Sequence, residues 1–175
     1  DGKKPPYRES DEPKPLSCYG TTKVMAEKCI AHLPGVTTVR LPLLFGFPRT
    51  ARAATFASQI EALQAGRSLK LFTDEHRTPL WLPDAAAVLL LLARSEVAGL
   101  MHVAGPQRLS RYEMLVEAAR ALKIASPRLE PVSRLSIAAA EPRPADLSLE
   151  DSRFRTLFPE VPRTTIADAL RMAIA

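Results

Sequence analysis

Two side chains near the start of the chain are spaced for proton transfer. Tyr19 and Lys23 stand four residues apart in Tyr-Gly-Thr-Thr-Lys, a separation that puts both on one face of a helix. A cation one helical turn from a phenol favours the ionised form, which is what a general acid working near neutral pH requires. Alone, the same spacing also describes a pair on a solvated helix face. The arginines Arg49, Arg52, Arg77 and Arg143, the last set between Pro142 and Pro144, could meet phosphate, because a guanidinium fork matches its geometry. For each the alternative is a solvated surface arginine. Cys18 and Cys29 fall on one expected helix, about 16 Å apart at ~1.5 Å of rise per residue. They are too distant to bridge, which suits free thiols in a reducing compartment. His32, His76 and His102 show no spacing that suggests a zinc site, so no metal is expected.

The elements that must position these groups can be read from punctuation and periodicity. Residues 1–16 hold four prolines and mixed charges and read as a loop. Ser17 can cap a helix over about 18–33, where apolar residues recur at helical spacing until Pro34-Gly35. Residues 36–45 are apolar and β-branched between Gly35 and Gly46, and predict a buried parallel strand that frays at Pro42. A helix over roughly 52–65, a strand near 69–72, an extended piece over 78–82, an apolar helix over 84–94 and a strand over 100–103 follow. Ser110 and Glu113 form a capping-box pattern opening a helix to about residue 123. The proline-rich stretches around 127–131 and 142–144 read as loops or short edge strands, and two short helices are expected over 150–158 and 165–175. Strands alternating with helices predict an α/β domain with a largely parallel sheet that lacks its first half.

Composition narrows the function classes. The chain has 175 residues, 46% hydrophobic and 25% charged, as in one soluble domain. Its longest apolar run, 85–93, is too short to cross a bilayer, and a cytoplasmic protein without a membrane partner is expected. The net charge of +5 is scattered among 19 acids, which argues against nucleic acid and suits a mildly basic cleft for a phosphorylated small molecule. With seven glycines and no Gly-x-Gly-x-x-Gly turn, any part that holds a dinucleotide pyrophosphate is expected outside this sequence.

The surroundings of Tyr19 and Lys23 carry more than the pair itself. The run Asp1-Gly2, Pro6-Tyr7-Arg8-Glu9, Asp11, Pro13, Pro15-Leu16, Tyr19-Gly20, Thr22-Lys23 and Glu27 resembles the stretch of extended short-chain dehydrogenases/reductases that leads into their catalytic helix. Further matches are Arg40 with Phe45-Gly46, Arg77-Thr78-Pro79 with Asp84-Ala85-Ala86, His102 to Pro106, and Pro142-Arg143-Pro144 with Leu147-Ser148-Leu149. The likeness covers nearly the whole chain and is closest in form to the dTDP-4-dehydrorhamnose reductases.

That resemblance implies an NAD(P)-binding Rossmann-like parallel sheet, represented by its C-terminal half, beside a smaller α+β substrate lobe. Residues 1–47 and 78–105 would finish the cofactor domain, and 48–77 and 106–175 the substrate lobe. It further implies that Tyr19 protonates the substrate oxygen as hydride arrives from the nicotinamide of NADP or NAD. Lys23 would favour the phenolate and bind the nicotinamide ribose. The third member of the triad, a serine or threonine, would lie just before Asp1, and Ser17 is a cap instead. Pro42, Leu43 and Leu44 would bring backbone near the nicotinamide, and Arg143, Phe45 and Arg77 would meet the substrate, with Phe45 and Phe47 alternatively core. Family members closest in motif carry tryptophan where this chain has Leu43, which sets a rhamnose-type substrate apart from the rest of the likeness. The expected activity is NAD(P)H-dependent reduction of a nucleotide-activated keto-sugar, and a homodimer is allowed. The alternatives are a non-catalytic regulatory protein resembling the methionine adenosyltransferase beta subunit, and a sugar-nucleotide epimerase or dehydratase.

Overall fold

Pro42 divides what the sequence presents as one strand. In the computed structural model, which describes residues 1–48 and 54–174, β1 (Thr37–Arg40) and β2 (Leu44–Phe45) are separate and take different partners. The break has a physical cause, since proline offers no N–H to a ladder and restricts the residue before it. β1 pairs in parallel with β6 (Gly99–His102), from Thr37 opposite Gly99 to Arg40 opposite His102. β2 pairs in parallel with β5 (Leu80–Trp81), and β3 (Leu69–Phe72) with β8 (Leu129–Val132). β4 (His76–Arg77) runs antiparallel to β7 (Leu109–Ser110). β8 thus forms in a segment whose prolines suggested a loop or edge strand. Its two middle residues are exposed, as on an edge, and Pro131 sits opposite Leu71.

The helices are α1 (Cys18–Ile30), α2 (Thr55–Gln64), α3 (Leu82–Ala93), α4 (Arg111–Ala121), α5 (Ser152–Leu157) and α6 (Ile166–Ile174). The expected start of α2 falls within residues 49–53, so Arg49 and Arg52 lie outside the described residues. The capping box of α4 is complete: the Glu113 N–H donates to Ser110 Oγ at 3.2 Å, and the Ser110 N–H donates to Glu113 Oε2 at 2.7 Å. α1 stops three residues short of the expected end, and its apolar residues are not a core face, for none of its side chains is buried. β1 is only half-buried along its length, contrary to the buried strand expected, because among the described residues it is hydrogen-bonded on one edge alone.

Two apolar cores result. One gathers Phe45, Phe56, Ile60, Leu63, Leu71, Met114, Leu115, Ile166 and Leu170 from β2, α2, β3, α4 and α6. The other gathers Leu80, Val88, Leu92, Met101, Val103 and Phe154 from β5, α3, β6, the residue after it, and α5. They are stitched together by polar and backbone contacts. Buried Asp84, in the first turn of α3, accepts from the Thr164 N–H at 2.8 Å and the Thr164 hydroxyl at 3.1 Å. The backbone at Gly105 comes so close to Pro79 that a Cβ there would lie 1.5 Å from the Pro79 carbonyl oxygen. Only glycine permits that approach, which brings the Arg77-Thr78-Pro79 and His102–Pro106 segments into backbone contact.

Candidate active site

The helix that carries Tyr19 and Lys23 is held by its ends. Ser17 Oγ accepts the Gly20 N–H at 3.1 Å, the cap expected from the sequence. The Cys18 N–H donates to Glu141 Oε1 at 2.7 Å, tying the first turn to the segment that contains Arg143. Further along, Glu27 receives both arms of Arg40, at 2.9 and 2.7 Å. That bond holds the Glu27 carboxyl below its usual range, against the opposing effect of burial.

Arg40 rests in turn on a fully buried histidine, its Nη1 lying 3.3 Å from His102 Nε2. His102 Nδ1 is 3.2 Å from the carbonyl oxygens of both Tyr7 and Glu150. Since those partners can only accept, Nδ1 carries the proton and Nε2 accepts from Arg40. Burial pushes the His102 pKa down, which Glu9 opposes and Arg40 reinforces.

Within α1, Lys23 Nζ lies 5.3 Å from the centre of the Tyr19 ring, so the two side chains share a face. Tyr19 is 71% exposed, and no carboxylate pairs with Lys23 among the described residues. Ser17, just before this helix, borders a cavity of about 350 Å³ that Glu75, Arg77, Glu141 and Arg143 also line. The phenol and ammonium thus share an open face of the helix whose cap residue borders the arginine-bearing cleft, without lining the cleft themselves.

The cleft is organised around one carboxylate. Glu75 is 2% exposed and takes a two-pronged contact from Arg143, whose guanidinium also stacks 5.1 Å from the Phe72 ring centre. Arg77 donates to its neighbour's carbonyl, His76 O, at 2.6 Å and reaches the Pro144 carbonyl at 3.4 Å. Arg111 also feels Glu75, and burial lowers the pKa of both Arg77 and Arg111. Both remain charged at any ordinary pH. Glu75 is thus paired directly with Arg143 and lies within the field of Arg77 and Arg111, while a second buried acid, Asp146, also acts on Arg77.

Of the residues expected to border the nicotinamide, Leu43 and Leu44 line a second cavity of about 140 Å³ at the end of β2, with Arg111, Phe56, Leu82 and Met114. Pro42 lies just before it in the break between β1 and β2. Phe45 forms part of the cavity wall but is 2% exposed and packs edge-on against Phe56 at 5.3 Å, so its ring belongs to the core. Phe47 meets the same Phe56 ring at 5.9 Å from a more exposed position. Sequence reasoning did not single out Glu75 or Arg111, and it named Glu27, Arg40 and His102 as motif positions without linking them to one another. Only the capping box, which marks Arg111 as the first residue of α4, gave any local signal.

The described residues contain no group of acids, histidines and cysteines that could hold a metal, and no helix long and apolar enough to cross a membrane. The family model described as the RmlD substrate binding domain matches residues 1–174. A zebrafish (Danio rerio) protein named methionine adenosyltransferase 2 subunit beta is 30% identical over 98% of this chain and 55% of its own length. A Haloferax volcanii protein named as a probable low-salt glycan biosynthesis reductase is 33% identical over 56% of the chain and 34% of its own. The crystal structure of a dTDP-4-dehydrorhamnose reductase from Clostridium acetobutylicum superposes with a TM-score of 0.83 at 26% identity, covering 99% of this chain and 61% of that one. The Bacillus anthracis reductase, solved in complex with NADP, gives 0.81 at 20% identity, a likeness of fold, over 98% and 60%. The chain spans about half the length of the curated relative that matches nearly all of it.

Proposed function

This chain belongs to the RmlD substrate binding domain family, and on that footing we propose that it carries the proton-donating pair and the substrate lobe of an NAD(P)H-dependent reductase of nucleotide-activated keto-sugars. The observation that supports this most is the Tyr19/Lys23 pair, on one open face of a helix whose first turn adjoins the arginine-lined cleft. A bound nicotinamide would supply the hydride. The residues present suit such a group, because the ammonium of Lys23 is uncommitted to any carboxylate among the described residues and can take a ribose hydroxyl. Backbone at Pro42, Leu43 and Leu44 would border the ring.

The chain's own part in the chemistry is short to state. The carbonyl carbon gains hydride while its oxygen takes the proton of the Tyr19 hydroxyl, and Lys23 stabilises the phenolate left behind. Arg143 and Arg77 stand where they can receive the nucleotide diphosphate, with Glu75 holding Arg143 in place until it does. On this reading residues 1–47 and 78–105 complete the cofactor domain, and 48–77 and 106–175 form the substrate lobe. The two apolar cores follow that division, except that Phe45 joins the substrate core and Phe154 the other. The test is NAD(P)H oxidation by the protein at its full natural length, given dTDP-4-keto-6-deoxysugars. Tyr19→Phe should lower turnover on the order of 10²–10⁴-fold, and unchanged turnover refutes the role of Tyr19.

A second reading is favoured by the names of the curated relatives, which include methionine adenosyltransferase 2 subunit beta proteins from seven vertebrates at 27–30% identity. Under it the chain belongs to a non-catalytic partner of a synthetase, and Leu43, in place of the family's tryptophan, reflects release from sugar binding. Co-purification with a methionine adenosyltransferase, together with no sugar-dependent NAD(P)H oxidation by the unaltered protein, decides for this reading.

A further inference from the structure

One hydrogen bond joins the arginine-lined cleft to the helix that carries Tyr19. Glu141 borders the cleft, and its Oε1 accepts the Cys18 N–H at 2.7 Å. Cys18 is the first residue of α1 and the neighbour of Tyr19, so its N–H is one of those that a helix leaves without a partner of its own. Ser17 Oγ takes another, from Gly20. The start of α1 therefore has two caps, one from the adjoining residue and one from 123 positions away. The bond from the Cys18 N–H holds the Glu141 carboxyl below its usual range, so an anion faces the positive end of the helix.

Two residues beyond this cap, Arg143 gives both arms of its guanidinium to buried Glu75, and Arg77 reaches the Pro144 carbonyl at 3.4 Å. The piece between cap and cleft is stiff by composition. Pro142 and Pro144 each fix their own φ, and each keeps the residue before it, Glu141 or Arg143, out of the helical region. All four residues of 141–144 thus have little backbone freedom, and a constraint on Arg143 is passed to Glu141 instead of being absorbed between them. A diphosphate in the cleft would add charge-assisted bonds to Arg143 and Arg77. With 141–144 fixed at one more point, the Glu141 cap is made for a larger share of the time.

We infer that Glu141 is a positioning residue, which makes the placement of Tyr19 depend on what Arg143 holds, so that a diphosphate in the cleft tightens the start of α1. This rests on the proposed function, which puts the nucleotide diphosphate at Arg77 and Arg143, and it adds how that end of the substrate acts on the proton donor. Tyr19 does not itself line the cleft, so a diphosphate there acts on it through protein, and Glu141 supplies the path.

Amide exchange on the protein at its full natural length, with and without saturating UDP or dTDP, tests this. Relative to the amides of α4, exchange at Cys18 should slow by about two- to tenfold with whichever nucleotide binds, the range set by one capping bond. In Glu141→Ala the nucleotide should still bind and that slowing should disappear. Glu141→Gln, whose side-chain carbonyl still accepts, should keep part of it. Pro142→Gly leaves the cap and the arginines in place but frees the backbone between them, and should lose it. A nucleotide that binds without slowing Cys18 in the unaltered protein overturns the inference and leaves the nucleotide-sugar reading standing. So does slowing that persists in a folded Glu141→Ala or Pro142→Gly variant, the latter being the result expected of a plain helix cap. Binding of neither nucleotide overturns both. The response of the unaltered protein is decisive even if Glu141→Ala does not fold, and Pro142→Gly then serves as the variant.

Discussion

The lobe around α4 and the helix that carries Tyr19 deal with apolar surface in opposite ways. In the lobe, Met114, Leu115, Ala118, Ile166, Ala169 and Leu170 interlock α4 with α6 and are almost wholly buried. In α1 no side chain is buried, and Met25 is 60% exposed although it sits at a helical apolar spacing. The lobe is closed on itself. α1 is held by polar ties at Ser17, Cys18 and Glu27, and its apolar residues stay uncovered among the described residues. Thus the proposed binding pockets have their own support, while the proposed proton donor rides on an element whose stability is mostly borrowed.

The comparison can be broken most decisively in the lobe. Leu115→Ala should cost about 2–5 kcal/mol in a denaturant titration, the range for deleting a fully buried leucine. A cost below ~1 kcal/mol would mean that the lobe is not the self-supporting body described here.

A pH titration separates the two regions next. His102 has its pKa depressed in the folded protein, so the unfolded chain binds its proton more readily. The stability this contributes is complete above the ordinary value of 6.5 and is lost as pH falls below it. Glu27 is also depressed, and its contribution disappears only as pH drops below its ordinary 4.5. Protonating His102 removes the acceptor that Nε2 offers Arg40. Exchange of α1 amides should therefore quicken between neutral pH and mildly acidic pH, before any change in α4. Simultaneous loosening of both helices would contradict the separate support of α1. In His102→Gln the acid sensitivity in that window should fade.

A smaller effect is expected from Ser17→Ala, which removes the acceptor for the Gly20 N–H and should cost about 1 kcal/mol. The loss should be confined to α1, read as faster amide exchange at Gly20 and Thr21 with an unchanged global Tm. Smallest of all, Met25→Ala in a chain limited to residues 1–175 should change stability by less than about 0.5 kcal/mol. A cost of about 2–5 kcal/mol at full natural length would reveal a segment that covers α1.

What was legible in the residues alone was local. The Ser17 and Ser110 caps, the shared face of Tyr19 and Lys23, and the order of helices and strands depend on neighbours a few positions away, and the structure keeps them. β3 forms over the expected residues for the same reason. The deviations arise where a partner comes from far along the chain. Pro42 ends β1 outright because the residues after it pair with β5 instead of β6. β8 becomes a strand despite Pro131 because β3 offers it a parallel edge. The apolar spacing of α1 promised a core face that no described segment covers.

The types and spacing of the reactive pair, and the motifs around it, were therefore set by sequence, because helical geometry converts four residues of separation into a shared face without help from elsewhere. The committed partners of the charged groups were decided only by tertiary structure. Glu75 is buried under Arg143 from 68 positions away, His102 is locked into one tautomer by Tyr7, Arg40 and Glu150, and Arg111 lines the cavity at the end of β2 within the field of Glu75. Which carboxylate neutralises which guanidinium depends on distances in space, which exist only once the chain has folded.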